Sequence, residues 1–345
     1  MSDAELLTEV RGSLGLLTLN RPKALNALTL GMVHAMVAQL KVWAEDPAIS
    51  TVAVRGAGDR AFCAGGDVRA LWESGMNRTE YASTFWHDEY QLNTLIKEYP
   101  KPYVALIHGL VMGGGVGVSF HGSHRVVCET TGFAMPETGI GLFPDVGGTY
   151  FLPRLPGQSG LYLALTGARV KAADLRHLGL ATHIAAYADF EPIIAALAAG
   201  AEPDSVLAPY VANATDAPIR ARQEEIDALF CGDGVEAILA ALDRAQTDFA
   251  RETAATIRTK SPTSLKIAYR QMVEGRRHTF RECMKLEFRV TERIQQGEDF
   301  YEGVRAIIID KDNAPRWSPA RVEDVTDAAI DACFAPLPSG ELTFL

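Results

Sequence analysis

The sequence predicts an α/β fold followed by a helical carboxy-terminal region. Three observations predict it. Short apolar strand-like runs alternate with helical stretches through residue 185; glycine clusters follow two of those runs; and beyond about Phe190 strand-like runs nearly vanish.

In order along the chain, Leu14–Leu19 (LGLLTL) and Ile49–Arg55 (ISTVAVR) read as strands, with a helix over Leu28–Trp43 between them. Asp46-Pro47 marks the turn into the second strand. From Ala70 to Ile96 the chain is polar, aromatic and helical in pattern. Tyr103–His108 (YVALIH) reads as a buried strand, and a glycine cluster then opens a helix near Gly115. Val126–Cys128 and Gly132–Ala134 are short strand candidates. Gly148–Arg154, Gly160–Leu165 and Ala172–Leu178 read as helices. Ser261-Pro262 opens a helix over Thr263–Glu274, and a second runs from His278 to Gln296, with Gly297 as its stop.

Composition narrows the function. The formal net charge is -10 over 345 residues, which argues against a nucleic-acid partner, since phosphate backbones need clustered Lys and Arg. A small anionic ligand needs only a few local cations. The five cysteines are scattered and form no CxxC, so neither a disulfide framework nor a zinc site is expected. His121 and His124 lack further ligands at metal spacing. The most apolar window, Val104–Phe120, is too short and too rich in glycine to cross a membrane. The acidic start MSDAELLTEV resembles no targeting segment, and a cytoplasmic location is expected.

Two glycine loops carry the first chemical signal. Met112–Gly117 (MGGGVG) follows a buried strand and opens a helix, where free amides favour developing negative charge. It is neither a dinucleotide fingerprint nor a P-loop. Phe62–Asp67 (FCAGGD) offers a second such loop, and the two together suit an oxyanion hole. Gly117–His121 (GVSFH) nearly matches a serine nucleophile elbow, but Ser119 falls inside the helix rather than at its entry.

The second signal is Ala134–Gly148 (AMPETGIGLFPDVGG), where Glu137 and Asp145 stand among apolar residues, glycine and proline with no basic neighbour. Carboxylates in apolar surroundings acquire the raised pKa that general acid–base work requires. The competing reading makes Glu137 a turn residue and Asp145 the N-cap of a helix starting near Val146.

Leu19–Leu28 (LNRPKALNAL), the Cys63–Asp67 loop, the Gly113–Gly115 turn and Leu165-Thr166-Gly167 together resemble the enoyl-CoA hydratase/isomerase (crotonase) superfamily. Within it the chain is most similar to the 3-hydroxyisobutyryl-CoA hydrolases. That likeness runs through Tyr103–Gly109, Met135–Thr138, Gly141–Gly148, Ser261–Lys266, Phe300–Arg305, and Asp310–Asp312 with Pro315, Trp317 and Pro319. It is weakest between residues 190 and 260 and at the carboxy terminus.

The resemblance implies a crotonase-like spiral of ββα units with its acyl-CoA site in residues 1–190, and a helical region, 191–345, packed on it. It implies that the Gly66 and Gly114 amides polarise a thioester carbonyl and that Glu137 and Asp145 form the acid/base pair. Glu89 and Ala64 would contact substrate, and the Arg21–Ala24 loop, with Arg21, Lys23 and Ala24, would lie near CoA. No cofactor or metal is implied, since CoA is part of the substrate, and a homo-oligomer is open. One departure is informative: where hydratases of the superfamily carry a catalytic glutamate after the glycine turn, this chain has Gly117. The expected activity is therefore hydrolysis of a short branched 3-hydroxyacyl-CoA thioester, of the kind met in valine catabolism. A hydratase or isomerase, or a non-catalytic acyl-CoA-binding protein, are the alternatives.

Overall fold

A computed structural model describes residues 4–211 and 216–345. The first three residues of the acidic amino-terminal stretch lie outside that range. The strands are β1 (Leu6–Arg11), β2 (Leu14–Leu19), β3 (Thr51–Gly56), β4 (Ala61–Cys63), β5 (Tyr103–Ile107), β6 (Leu110–Met112), β7 (His124–Val127), β8 (Gly132–Ala134), β9 (Val170–Lys171) and β10 (His183–Ile184). They form a six-stranded sheet, β1-β2-β3-β5-β7-β10, and a four-stranded one, β4-β6-β8-β9. Only the β1–β2 and β8–β9 pairings are antiparallel.

After β1 and β2, which both join the larger sheet, the successive pairs β3–β4, β5–β6 and β7–β8 each send one strand to the larger sheet and one to the smaller. β3 and β4 lead to α2 (Val68–Met76) and α3 (Tyr81–Lys97), preceded by α1 (Leu30–Glu45) between β2 and β3; β5 and β6 lead to α4 (Gly114–Gly117). The long strands are continuously apolar because the larger sheet is covered on both sides. On β3 and β5, Val52, Val54, Ala105 and Ile107 enter the main core. Their neighbours Ala53, Val104 and Leu106 pack in a second cluster with the helix Phe190–Ala198. Successive strand residues point to opposite faces, so one sheet can serve both cores.

The ββα architecture is the one the resemblance implied. Two details of the sequence reading change. The stretch from Ala70 to Ile96 is two helices, separated where Arg78 adopts φ +54. Strand β1 was missed: its polar–apolar alternation is that of a half-exposed edge strand. Beyond residue 190 the regular elements among the described residues are all helices, and the main core runs from Leu6 to Leu342, so both parts of the chain share it.

Candidate active site

β4 and β6 are parallel neighbours, pairing Ala61 with Leu110 and Cys63 with Val111, so the two glycine loops leave the small sheet side by side. The Gly66 loop is held by a bridge to Leu28, in which Leu28 N–H donates to Gly65 O at 2.9 Å and Asp67 N–H to Leu28 O at 2.9 Å. That pattern leaves the Gly66 amide unused. Gly114 begins α4, where the first amides of a helix have no partner within it. A Cβ added at Gly114 would lie 3.2 Å from Gly66 N and overlap Glu89 Oε1. Only glycine allows the two loops and the Glu89 carboxylate to meet here.

Glu137 opens a single 3-10 turn, Glu137–Ile140, and Asp145 follows the apolar segment beyond it. The Asp145 side chain caps no helix: Gly147 is the N-cap of the short helix Gly148–Phe151, and the carboxylate instead accepts from Tyr90 Oη–H at 2.8 Å. Glu89, Glu137, Asp145, Gly66, Gly114 and Ala64 all line one cleft of about 610 Å³. Phe85, Trp86, Leu71, Ile140 and Leu142 give it an apolar wall. From the carboxy-terminal region come Thr259, Lys260, Ile307, Ile308, Asn313 and Pro315.

All three acids are buried, and Glu89 Oε1 and Glu137 Oε2 have no hydrogen-bond partner. Burial raises the Glu137 carboxyl well above the usual carboxylate range, and the charges of Asp145 and Glu287 raise it further. Glu89 is raised for the same reasons, burial first. Asp145 is pushed up to about 7 by burial, against the opposing hydrogen bond from Tyr90. A fourth buried acid, Glu287, stands behind the cleft and is pushed up to about 8 by burial. Buried acids with raised pKa in a cleft beside free amides can exchange protons with a bound carbonyl compound.

Lys23 and Ala24 lie on the exposed 3-10 turn Pro22–Ala24 and are not among the residues lining the cleft. Their loop is tied to the site through Ala64 N–H, which donates to Leu25 O at 3.0 Å. Arg21 is engaged by Glu5 at 3.0 Å and Asp67 at 3.1 Å. Ser119 is buried and its hydroxyl donates to Gly115 O, so it offers no nucleophile. His121 is bonded to Val146 O and His124 to Asp204; among the described residues no group of three or more metal-ligating side chains occurs. Tyr90, Glu287 and Lys260 escaped the sequence reading. A signal existed for Glu287: it falls on the apolar stripe Phe280, Cys283, Met284, Ile294 of its helix, Phe280–Ile294.

At Gly117 an added Cβ would lie 2.6 Å from Asn93 Nδ2 and 3.0 Å from Val146 Cβ. The space that a second glutamate would need there is filled.

The chain belongs to the enoyl-CoA hydratase/isomerase family, whose sequence model matches residues 14–334. Within it the chain is 46% identical to the mitochondrial 3-hydroxyisobutyryl-CoA hydrolase of Xenopus laevis, over 99% of this chain and 91% of that protein. It is 44% identical to the human protein of the same name, over the same shares. Among solved structures, a carnitinyl-CoA dehydratase from Mycobacterium thermoresistibile matches with a TM-score of 0.94 at 42% identity, covering 99% of both chains. An enoyl-CoA hydratase from Rhodobacter sphaeroides matches at 0.93 and 40%, covering 99% of this chain and 100% of that one. The expected cytoplasmic location is corrected by the names of the relatives, which are mitochondrial. The charge pattern of ten residues reports on those residues and does not decide a compartment.

Proposed function

We propose that this chain hydrolyses the thioester of 3-hydroxyisobutyryl-CoA, giving the free acid and CoA, a step that suits valine degradation. Relatives of that name over nearly the full chain support the substrate. The observation that carries the reaction type is the set of acids: Glu137 and Asp145 share the cleft with Glu89 and the two glycine loops, while position 117 has no room for a hydratase's second glutamate.

In this reading the thioester oxygen lies between the Gly66 and Gly114 amides, which stabilise the charge it acquires in the tetrahedral intermediate. Glu137 supplies the reacting carboxylate. It either attacks the carbonyl carbon itself, expelling CoA and leaving a mixed anhydride that water then cleaves, or it takes a proton from the attacking water. The departing thiolate takes up a proton in both routes. Asp145 orients the substrate hydroxyl or the water. No cofactor enters the scheme, because CoA arrives with the substrate and leaves as product. Single turnover in heavy-oxygen water tests the covalent route: label in the Glu137 carboxylate shows that the anhydride formed and that water opened it at the glutamyl carbon.

Free-thiol release from 3-hydroxyisobutyryl-CoA and from crotonyl-CoA, assayed side by side with crotonyl-CoA hydration, tests the function. Thiol release from the first and no hydration of the second is expected. Glu137→Gln should lose about 10²–10⁴-fold in kcat; turnover unchanged in that variant refutes the assignment.

A further inference from the structure

Asp145 is carried on a backbone that its own sequence does not favour. The next residue, Val146, adopts φ +49, in the left-handed region that a β-branched side chain rarely enters, and Gly147 follows at φ +91. Such a turn persists only where its surroundings over-determine it. Here four side chains hold it. Glu287 accepts from Gly147 N–H at 2.8 Å through one oxygen and from Thr149 N–H at 2.9 Å through the other. Gln271 Nε2–H donates to Pro144 O and to Thr149 Oγ1. The His121 ring is bonded to Val146 O at 2.7 Å, and Tyr90 holds the Asp145 carboxylate itself.

Glu287 differs from the other three. It is a buried carboxylate, 1% exposed, facing other acids, which is an expensive choice for a purely structural acceptor. It also lies 140 residues further along the chain than the amide it holds, so it joins the carboxy-terminal region to the reacting turn.

We propose that Glu287 is a positioning residue for Asp145: from the helix Phe280–Ile294 it grips the Gly147 and Thr149 amides, fixes the left-handed Val146 and so aims the Asp145 carboxylate into the cleft. The proposal rests on reading Asp145 as a member of the reacting pair. The groups facing Glu287 are Asp145 and Glu137 with their turns, Glu89 and Tyr90 of α3, and Cys283 of its own helix. Further along those elements, Lys97 lies over the Phe280 ring, His87 packs on Phe288, and Asp331 of the adjoining helix Asp327–Phe334 is paired with Arg270. No cation is paired with Glu287 among the described residues.

Glu287→Gln keeps the shape and one accepting oxygen while removing the charge. It should fold, with kcat for the CoA thioester lowered about tenfold or more and KM within about twofold, since the loss is one of alignment. The deciding measurement is a cycle with Asp145→Asn. If Glu287 acts through Asp145, adding Glu287→Gln to Asp145→Asn should lower the residual activity by less than twofold. Fully multiplicative losses overturn the proposal, as does a folded Glu287→Gln with unchanged kcat. Asp145→Asn with full activity would overturn the reading of Asp145 and the proposal with it.

Discussion

Tyr90 offers the sharpest probe of the acid pair. Its hydroxyl donates to Asp145 Oδ2 at 2.8 Å, and the side chain is fully buried, so no solvent takes its place when it is removed. A hydrogen bond to a charged group is worth about 1.5–3 kcal/mol, and about 1.4 kcal/mol corresponds to one pH unit. The donor stabilises the ionised carboxylate, so Tyr90→Phe must raise the Asp145 pKa. From about 7 in the intact protein it should reach roughly 8–9. At pH 7.5 the ionised fraction then falls roughly 3- to 25-fold, and kcat/KM with it. The assay is free-thiol release from the CoA thioester between about pH 5.5 and 9.5, corrected for spontaneous hydrolysis. The acid limb should move up by roughly one to two units, with activity recovering toward wild type at the alkaline end. Recovery at high pH separates this outcome from misfolding. A profile that superimposes on wild type, or one that moves to lower pH, refutes the reasoning.

Two further outcomes follow from the same geometry. Asp145→Asn should be more stable than wild type in alkaline solution: the folded pKa lies above the ordinary 3.8, so the folded state holds its proton more tightly, and the burial penalty grows as pH rises from about 4 to about 7. The gain has an upper value on the order of 4 kcal/mol at pH 8 and should vanish near pH 4; a melting temperature at pH 8 no higher than wild type contradicts it. Gly117→Glu should not confer hydration of crotonyl-CoA. With Asn93 Nδ2 and Val146 Cβ already against that position, it should instead destabilise by about 1–3 kcal/mol, read as a lower Tm; a stable variant that hydrates crotonyl-CoA would show the space to be available.

Legibility followed the range of the interactions. LGLLTL and YVALIH could be read as buried strands because both faces of their sheet are covered, and apolar continuity is a local signal. The strands of the small sheet, three residues or fewer, carry too little pattern, so only Gly132–Ala134 was picked out. The start of α1 was placed two residues early because Thr29, whose side chain accepts from Met32 N–H, is the cap rather than a helical residue. Glu137 and Asp145 stood out because charge is rare among apolar, glycine- and proline-rich neighbours. What gives them their character was not visible: Tyr90 and Glu287 reach Asp145 and its turn across 55 and 140 positions. No spacing rule spans such distances. A lone glutamate on an apolar helical stripe was the one trace Glu287 left.

The cleft takes residues from Ala64 to Pro315, and this sets an order on its appearance during synthesis. A ribosome-bound chain that has emerged only as far as the glycine loops and the two acids lacks Lys260, Glu287, Ile307 and Asn313. Its carboxylates are then open to water and titrate as ordinary acids. The cleft is complete only once Pro315 has been made, so a premature stop before Lys260 should yield a chain holding both acids and both glycine loops yet doing no work.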